Sequence, residues 1–271
     1  MALAENRLVR QLAGLRAAGR RTLLPFVTAG YPSLAATAAI LRELEAAGVG
    51  ACELGIPFTD PVADGPVIQA SYTAALESGV TTAGIFEMVR GFRGQGGTLP
   101  LAAMVSYSIV FRHGTEAFAR QAAAAGFDGL VIPDLPLDES GPMERIAADA
   151  GLALVLLIAP TTPPQRRLEI ARHSRGFIYY ISVAGITGPR DRLPEQTIEA
   201  VRELRGQTDT PVCVGFGISS AAAVAQVCRA ADGAIVGSAI VQRIAEHRDQ
   251  PPEQLARLVG RFVAELMEPV R

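Results

Sequence analysis

The sequence predicts an α/β protein: a single (β/α)8 barrel spanning residues 1–271, with an extra helix ahead of its first strand. Three observations carry this. Short apolar runs alternate with alanine-rich helical stretches from end to end. Eight such runs can be counted. Their apolar character, with Glu53 in the second run the marked exception, is continuous rather than at alternate positions, which suits parallel strands covered on their outside. A doubly wound open sheet is the competing architecture.

The chain opens on an amphipathic helix with Leu8, Leu12 and Leu15 on one face and arginines between them. Leu23–Thr28 follows as the first strand. Ser33 is an N-cap for a helix whose Ile40, Leu41, Leu44 and Ala47 recur at helical spacing and which Gly48 closes. Ala51–Gly55 is the second strand, and two helices follow it, Pro66–Ser78 and Thr82–Phe92, one of them extra. Strands Leu101–Ser106, Gly129–Pro133 and Leu152–Ile158 precede helices Glu116–Ala125, Met143–Ala150 and Gln165–His173. Phe177–Ser182, Val212–Val214 and Ala234–Val236 lead into Glu195–Arg205, Ser220–Arg229 and Ser238–Glu246. A last helix sets Leu255, Leu258, Val259, Phe262 and Leu266 on one stripe.

Composition excludes several chemistries. All 25 basic residues are arginine, and there is no lysine. Without a side-chain amine the chain forms no Schiff base, which excludes self-contained PLP enzymes and Schiff-base aldolases. A phosphate-loop nucleotide site and a protein kinase each need a lysine and fall with them. Acidic residues number 27, for a net charge of −2, which argues against a nucleic-acid partner. The longest apolar stretches, such as Leu152–Ala159, fall far below the ~18 residues of a membrane span. The first helix does not read as a signal peptide, so the expected location is cytoplasmic. Cys52, Cys213 and Cys228 form no C-x-x-C pair, and His113, His173 and His247 stand apart, so neither disulfides nor a metal site is expected.

A barrel carries its chemistry at the C-terminal ends of its strands. In Ala51-Cys52-Glu53-Leu54-Gly55 a carboxylate sits inside an apolar strand. If alternation turns Glu53 inward, desolvation raises its pKa toward a useful acid/base value. The alternative is a buried Glu paired with Arg or backbone. Asp64 follows eleven positions later, in a loop rich in Pro and Asp. Asp60 and Asp64 taken alone read as turn residues, but a strand end and its own loop can converge as an acid/base pair. Late in the chain, Val214-Gly215-Phe216-Gly217-Ile218-Ser219-Ser220 and Val236-Gly237-Ser238-Ala239 follow strands seven and eight. Such loops, opening on a helix, are where phosphate-binding barrels hold the anion; tight turns are the plainer explanation. Ala184-Gly185-Ile186-Thr187-Gly188-Pro189-Arg190, after strand six, reads as a loop with hinge-like glycines.

The run Leu24–Pro32, the long motif Glu53–Gln69, Ile132–Pro136, Gly185–Gly188 and the two late glycine segments together resemble the tryptophan synthase alpha chain family, over about Arg7 to Met267. The resemblance implies a lyase that splits indole-3-glycerol phosphate into indole and glyceraldehyde 3-phosphate. It implies Glu53 as general acid/base at indole C3 and the glycerol hydroxyl, and Asp64 as hydrogen-bond acceptor for the indole N–H. Gly188, Gly217, Gly237 and Ser238 match positions around the phosphate, Phe26 and Tyr179 match the indole pocket, and Thr187 matches a loop threonine that contacts the catalytic Asp. No cofactor is implied on this chain. PLP is implied only on a beta-chain partner in an alpha2beta2 assembly.

The missing lysine fits that chemistry. Retro-aldol cleavage needs an electron sink, and protonation of indole C3 creates one in the substrate itself, so two placed carboxylates suffice. One region departs from the family pattern: Ser108 stands where an Asn facing the beta partner is usual, and Ile109 where many members carry Pro. A free-standing indole-releasing lyase and a barrel that only activates its partner are the competing functions. Indole-glycerol phosphate synthase, a neighbouring phosphate barrel, needs a lysine that is absent here.

Overall fold

In a computed structural model, which describes residues 5–61, 64–182, 194–215 and 217–270, the eight expected strands pair in sequence order and close on themselves as a TIM barrel. They are β1 (Thr22–Thr28), β2 (Cys52–Gly55), β3 (Leu101–Met104), β4 (Gly129–Val131), β5 (Ala153–Ile158), β6 (Ile178–Ile181), β7 (Val212–Gly215) and β8 (Gly233–Val236). Every neighbouring pair is parallel, including β8 against β1, so no edge is left and the open-sheet alternative falls. Nearly every strand residue is buried, as continuous apolar runs require of strands covered on both faces.

Helices α1 (Arg7–Ala17), α2 (Leu34–Ala47), α3 (Pro66–Glu77), α4 (Thr82–Gly94), α5 (Tyr107–His113), α6 (Thr115–Ala125) and α7 (Leu137–Asp149) wrap the first half. The second half is wrapped by α8 (Pro164–His173), α9 (Glu195–Gly206), α10 (Ala221–Cys228), α11 (Ser238–Glu246) and α12 (Pro252–Met267). Local signals set most boundaries. The Ser33 side chain accepts from Ala36 N, and Gly48 ends α2 in the left-handed region at φ 79.

Two segments depart from expectation. α7 begins at Leu137 rather than Met143, because Gly141-Pro142 does not break it. Pro142 and Asp138, the residue one turn earlier whose carbonyl loses its partner, both lie on the exposed side. α5 was not expected at all. Its N-terminus is held by Asp134, 27 residues away, which accepts from Tyr107 N and Ser106 Oγ at 2.8 Å each.

The N-terminal end of the barrel is stitched by two aspartates in matching places. Asp128, just before β4, accepts from Leu101 N at 2.9 Å and meets Arg93 at 3.0 Å and Arg7 at 2.8 Å. Asp232, just before β8, accepts from Val212 N at 3.0 Å and meets Arg205 at 2.8 Å, Arg16 at 3.3 Å and Arg21 at 3.7 Å. Arg7 and Arg16 both belong to α1, which thereby spans the barrel floor with Leu8 and Leu12 buried beneath it. Asn6 completes the seal. Its side-chain oxygen caps α1, and its amide donates to Asp128 O and Gly151 O at 2.7 and 2.8 Å.

Candidate active site

β2 delivers Glu53 to a cavity of about 560 Å³ at the opposite, C-terminal end of the barrel. Alternation along the strand puts Glu53 and Gly55 on one face and Cys52 and Leu54 on the other. Glu53 is 1% exposed, and among the described residues neither of its carboxyl oxygens finds a hydrogen-bond partner. The alternative of an Arg-paired Glu is therefore not what the structure shows. Burial without compensation raises the Glu53 pKa to about 8.

Asp64 reaches the same cavity from the loop after β2. It does not serve as a helix cap: Gly65 is the N-cap of α3, Pro66 opens the helix, and no side chain caps it. Gln69, one turn into α3, holds the loop by donating to Asp64 O at 2.7 Å and Pro61 O at 3.2 Å. Burial raises the Asp64 carboxyl to about 6. Asp60, by contrast, is exposed and stays out of the cavity wall.

Between the carboxyls and the far end the wall is apolar, made by Phe26, Ile68, Met104, Tyr179 and Ile235. The Tyr179 phenol stays protonated, because burial and then the Glu53 and Asp64 carboxylates oppose its ionisation. Gly215 makes room for it: a Cβ there would lie 2.4 Å from the Tyr179 hydroxyl. Sequence reasoning missed Met104 and Ile68. Met104 is the register partner of Gly55, so alternation counted from Glu53 would have found it.

The far end is built from backbone. Gly217, Ile218 and Ser219 after β7 and Gly237, Ser238 and Ala239 after β8 line the cavity together. Ile240 N and Val241 N bond back to Gly237 O, which leaves the N–H groups of Ser238 and Ala239 ahead of the helical ladder of α11. A helix start beside a glycine turn is a ready anion site. Among the described residues Arg243 is the one cation on the wall; it stacks over the Phe262 ring at 5.0 Å and meets Glu246 at 3.5 Å. The structure thus brings together Glu53, Asp64, Phe26, Tyr179, Gly217, Gly237 and Ser238. Thr187 and Gly188 lie outside the described residues.

Among the described residues no three His, Cys, Asp or Glu side chains gather as a metal site, and no helix is long and apolar enough to cross a membrane. On the rim, Ser108 lies 2.7 Å from Ser106 Oγ, which is tied to Asp134, and Phe111 on the same helix is 70% exposed.

Residues 12–268 match the family profile described as Tryptophan synthase alpha chain. The tryptophan synthase alpha chain of Chloroflexus aggregans is 45% identical over 262 residues, covering 97% of each chain. The tryptophan synthase subunit alpha of Legionella pneumophila superposes with a TM-score of 0.87 at 32% identity over 98% of each chain. A structure of the tryptophan synthase complex from Pyrococcus furiosus does so at 0.82 and 34%, covering 92% of this chain and 98% of the other. With a closed barrel, a buried Glu53, a half-buried Asp64 and a glycine-rich wall in one cavity, the chain belongs to the tryptophan synthase alpha chain family.

Proposed function

We propose that this chain, working as one barrel domain, cleaves indole-3-glycerol phosphate into indole and glyceraldehyde 3-phosphate with Glu53 and Asp64 as its catalytic pair. One observation carries the assignment of roles. A buried and a half-buried carboxyl share a largely apolar cavity, and their environments push them up to about 8 and about 6. Near neutral pH the first is an acid and the second a carboxylate, and pairs pushed apart in this way mark acid/base assignments.

The steps balance with these two groups. Protonated Glu53 gives its proton to indole C3, and the ring becomes an indoleninium whose C=N⁺ is the electron sink. The Asp64 carboxylate accepts the indole N–H hydrogen bond and stabilises the positive charge as it develops. The Glu53 carboxylate then takes the proton of the glycerol hydroxyl attached to the breaking bond. The carbon–carbon pair returns to the ring, indole regains aromaticity, the aldehyde leaves, and Glu53 is protonated again. Phe26, Ile68, Met104 and Tyr179 surround the ring, while Gly217, Gly237 and Ser238 hold the phosphate through backbone N–H groups. Thr187 and Gly188, for which the resemblance implies contacts with Asp64 and the phosphate, lie outside the described residues.

The chain needs no cofactor of its own on this reading and acts in the cytoplasm. It works with a PLP-bearing beta chain in an alpha2beta2 assembly; the solved Pyrococcus furiosus relative is itself a complex. The deciding experiment is indole release from indole-3-glycerol phosphate, with and without the cognate beta chain. Strong stimulation by the beta chain supports the reading. Fast turnover alone indicates a free-standing lyase, and no turnover in either arm leaves a barrel that only activates its partner.

A further inference from the structure

Asp64 stands in the cavity wall, while its backbone carbonyl is taken by a side chain outside that wall. The Gln69 amide donates to Asp64 O at 2.7 Å and to Pro61 O at 3.2 Å. Both partners are carbonyl oxygens, which only the NH2 end of an amide can serve, one hydrogen to each. Asp64 N itself donates to Pro61 O at 3.0 Å, so Pro61 and Asp64 are tied to each other and to one side chain.

The helix that carries Gln69 is itself fixed to the barrel. Two residues further along α3, Ser71 is buried, and its hydroxyl lies 2.6 Å from that of Thr28 and 2.7 Å from Ile68 O. Thr28 is the register partner of Gly55, the last residue of β2. The chain therefore leaves the barrel at Gly55 and is brought back to the same place through Gln69, α3 and Ser71. The start of α3 gives no such hold, since Gly65 and Pro66 open it without a side-chain cap. Gln69 thus passes the position of β1 and β2 on to Asp64.

We propose that Gln69 is a positioning residue of the lyase site: by clasping Pro61 and Asp64 onto α3 it sets where the Asp64 carboxylate stands against the indole N–H. The proposal rests on the role given to Asp64 above. Gln69 is half-buried, lies outside the cavity wall and acts through the backbone of Asp64, so it touches no substrate atom. A carboxylate that meets a developing charge gains from being held in place beforehand, and a displacement of about 1 Å at such a group can cost about 10²-fold in rate.

The test is indole release by the full chain with its beta partner, measured against pH for wild type, Gln69→Met, Gln69→Asn, Thr73→Ala and Asp64→Asn. Gln69→Met keeps length and helix preference and removes both bonds. Its kcat should fall about 10–100-fold with KM within about threefold, since the phosphate end is built on β7 and β8. Burial is what raises the Asp64 carboxyl, so an Asp64 released from α3 meets more water and its pKa drops. The acid limb of kcat/KM should accordingly move to lower pH by about half to one unit. Gln69→Asn keeps an amide that falls one methylene short; it should move the limb the same way and stands in if Gln69→Met fails to fold. Thr73→Ala removes the side-chain bond to Gln69 O one turn on and leaves the clasp, so kcat and limb should match wild type. An acid limb that superimposes on wild type in the Gln69 variants that fold, or that moves equally in Thr73→Ala, overturns the proposal. An Asp64→Asn enzyme as fast as wild type overturns instead the role of Asp64 on which it rests.

Discussion

Phe26 and Glu53 are register partners across β1 and β2 and face the same cavity, so the ring that walls the substrate pocket also shields the carboxyl from water. The burial that raises the Glu53 pKa is thus shared with a neighbouring strand.

That relationship sets the pH behaviour. Activity requires Asp64 ionised and Glu53 protonated, so kcat/KM should rise through about 6 and fall above about 8. Phe26→Ala admits water, lowers the Glu53 pKa and should move the alkaline limb to lower pH. An alkaline limb that stays in place after Phe26→Ala would assign that limb to another group.

Glu53→Gln keeps shape and removes the proton donor. Indole release should fall by about 10²–10⁴-fold or more, while a phosphate-bearing substrate analogue binds nearly as before in titration calorimetry. The same variant has a stability signature. The Glu53 pKa stands near 8 in the folded protein against 4.5 ordinarily, so the folded state holds a proton that the unfolded chain releases. Wild type should therefore lose stability as pH climbs from about 4.5 to about 8, by on the order of a few kcal/mol. Urea unfolding of Glu53→Gln should lack that slope.

The two glycines at the far end of the cavity, Gly217 and Gly237, should differ. Gly217 has φ 79, where a side chain is strained, so Gly217→Ala should cost about 1–2 kcal/mol and also weaken phosphate-ligand binding. Gly237 has φ −110, and a Cβ there meets Phe26 at 3.5 Å, an ordinary contact. Gly237→Ala should fold like wild type, whereas Gly237→Val should weaken phosphate binding by crowding. Thermal unfolding and calorimetry on the three variants separate the effects.

At the barrel floor, Asp232→Ala leaves Arg16, Arg21 and Arg205 without their shared carboxylate and Val212 N without its acceptor. The loss should be about 3 kcal/mol or more in urea unfolding, with kcat unchanged in the folded fraction, since the site lies at the other end.

Strands were legible because each is a continuous apolar run between turn residues, and their order followed from β/α alternation. Glu53 was legible as a charge inside such a run, and Asp64 by its place in the loop that follows. Where sequence reading failed, the cause lay far away in the chain. α5 has its own N-cap in Ser106 but leans on Asp134 for its first N–H, and Asp128 and Asp232 draw their arginines from up to 216 residues away; α7 alone has a local cause, a Gly-Pro pair whose lost hydrogen bond faces solvent.

The span of α1 across the floor bears on how the molecule is assembled during synthesis. α1 is translated before every strand, yet its two ionic anchors are Asp128 and Asp232, and the second emerges only as β8 does. A nascent chain released in order from the ribosome therefore carries an amphipathic helix whose docking place does not yet exist. A segment made before every strand is thus among the last to settle, and its arrival registers that the ring of strands is complete.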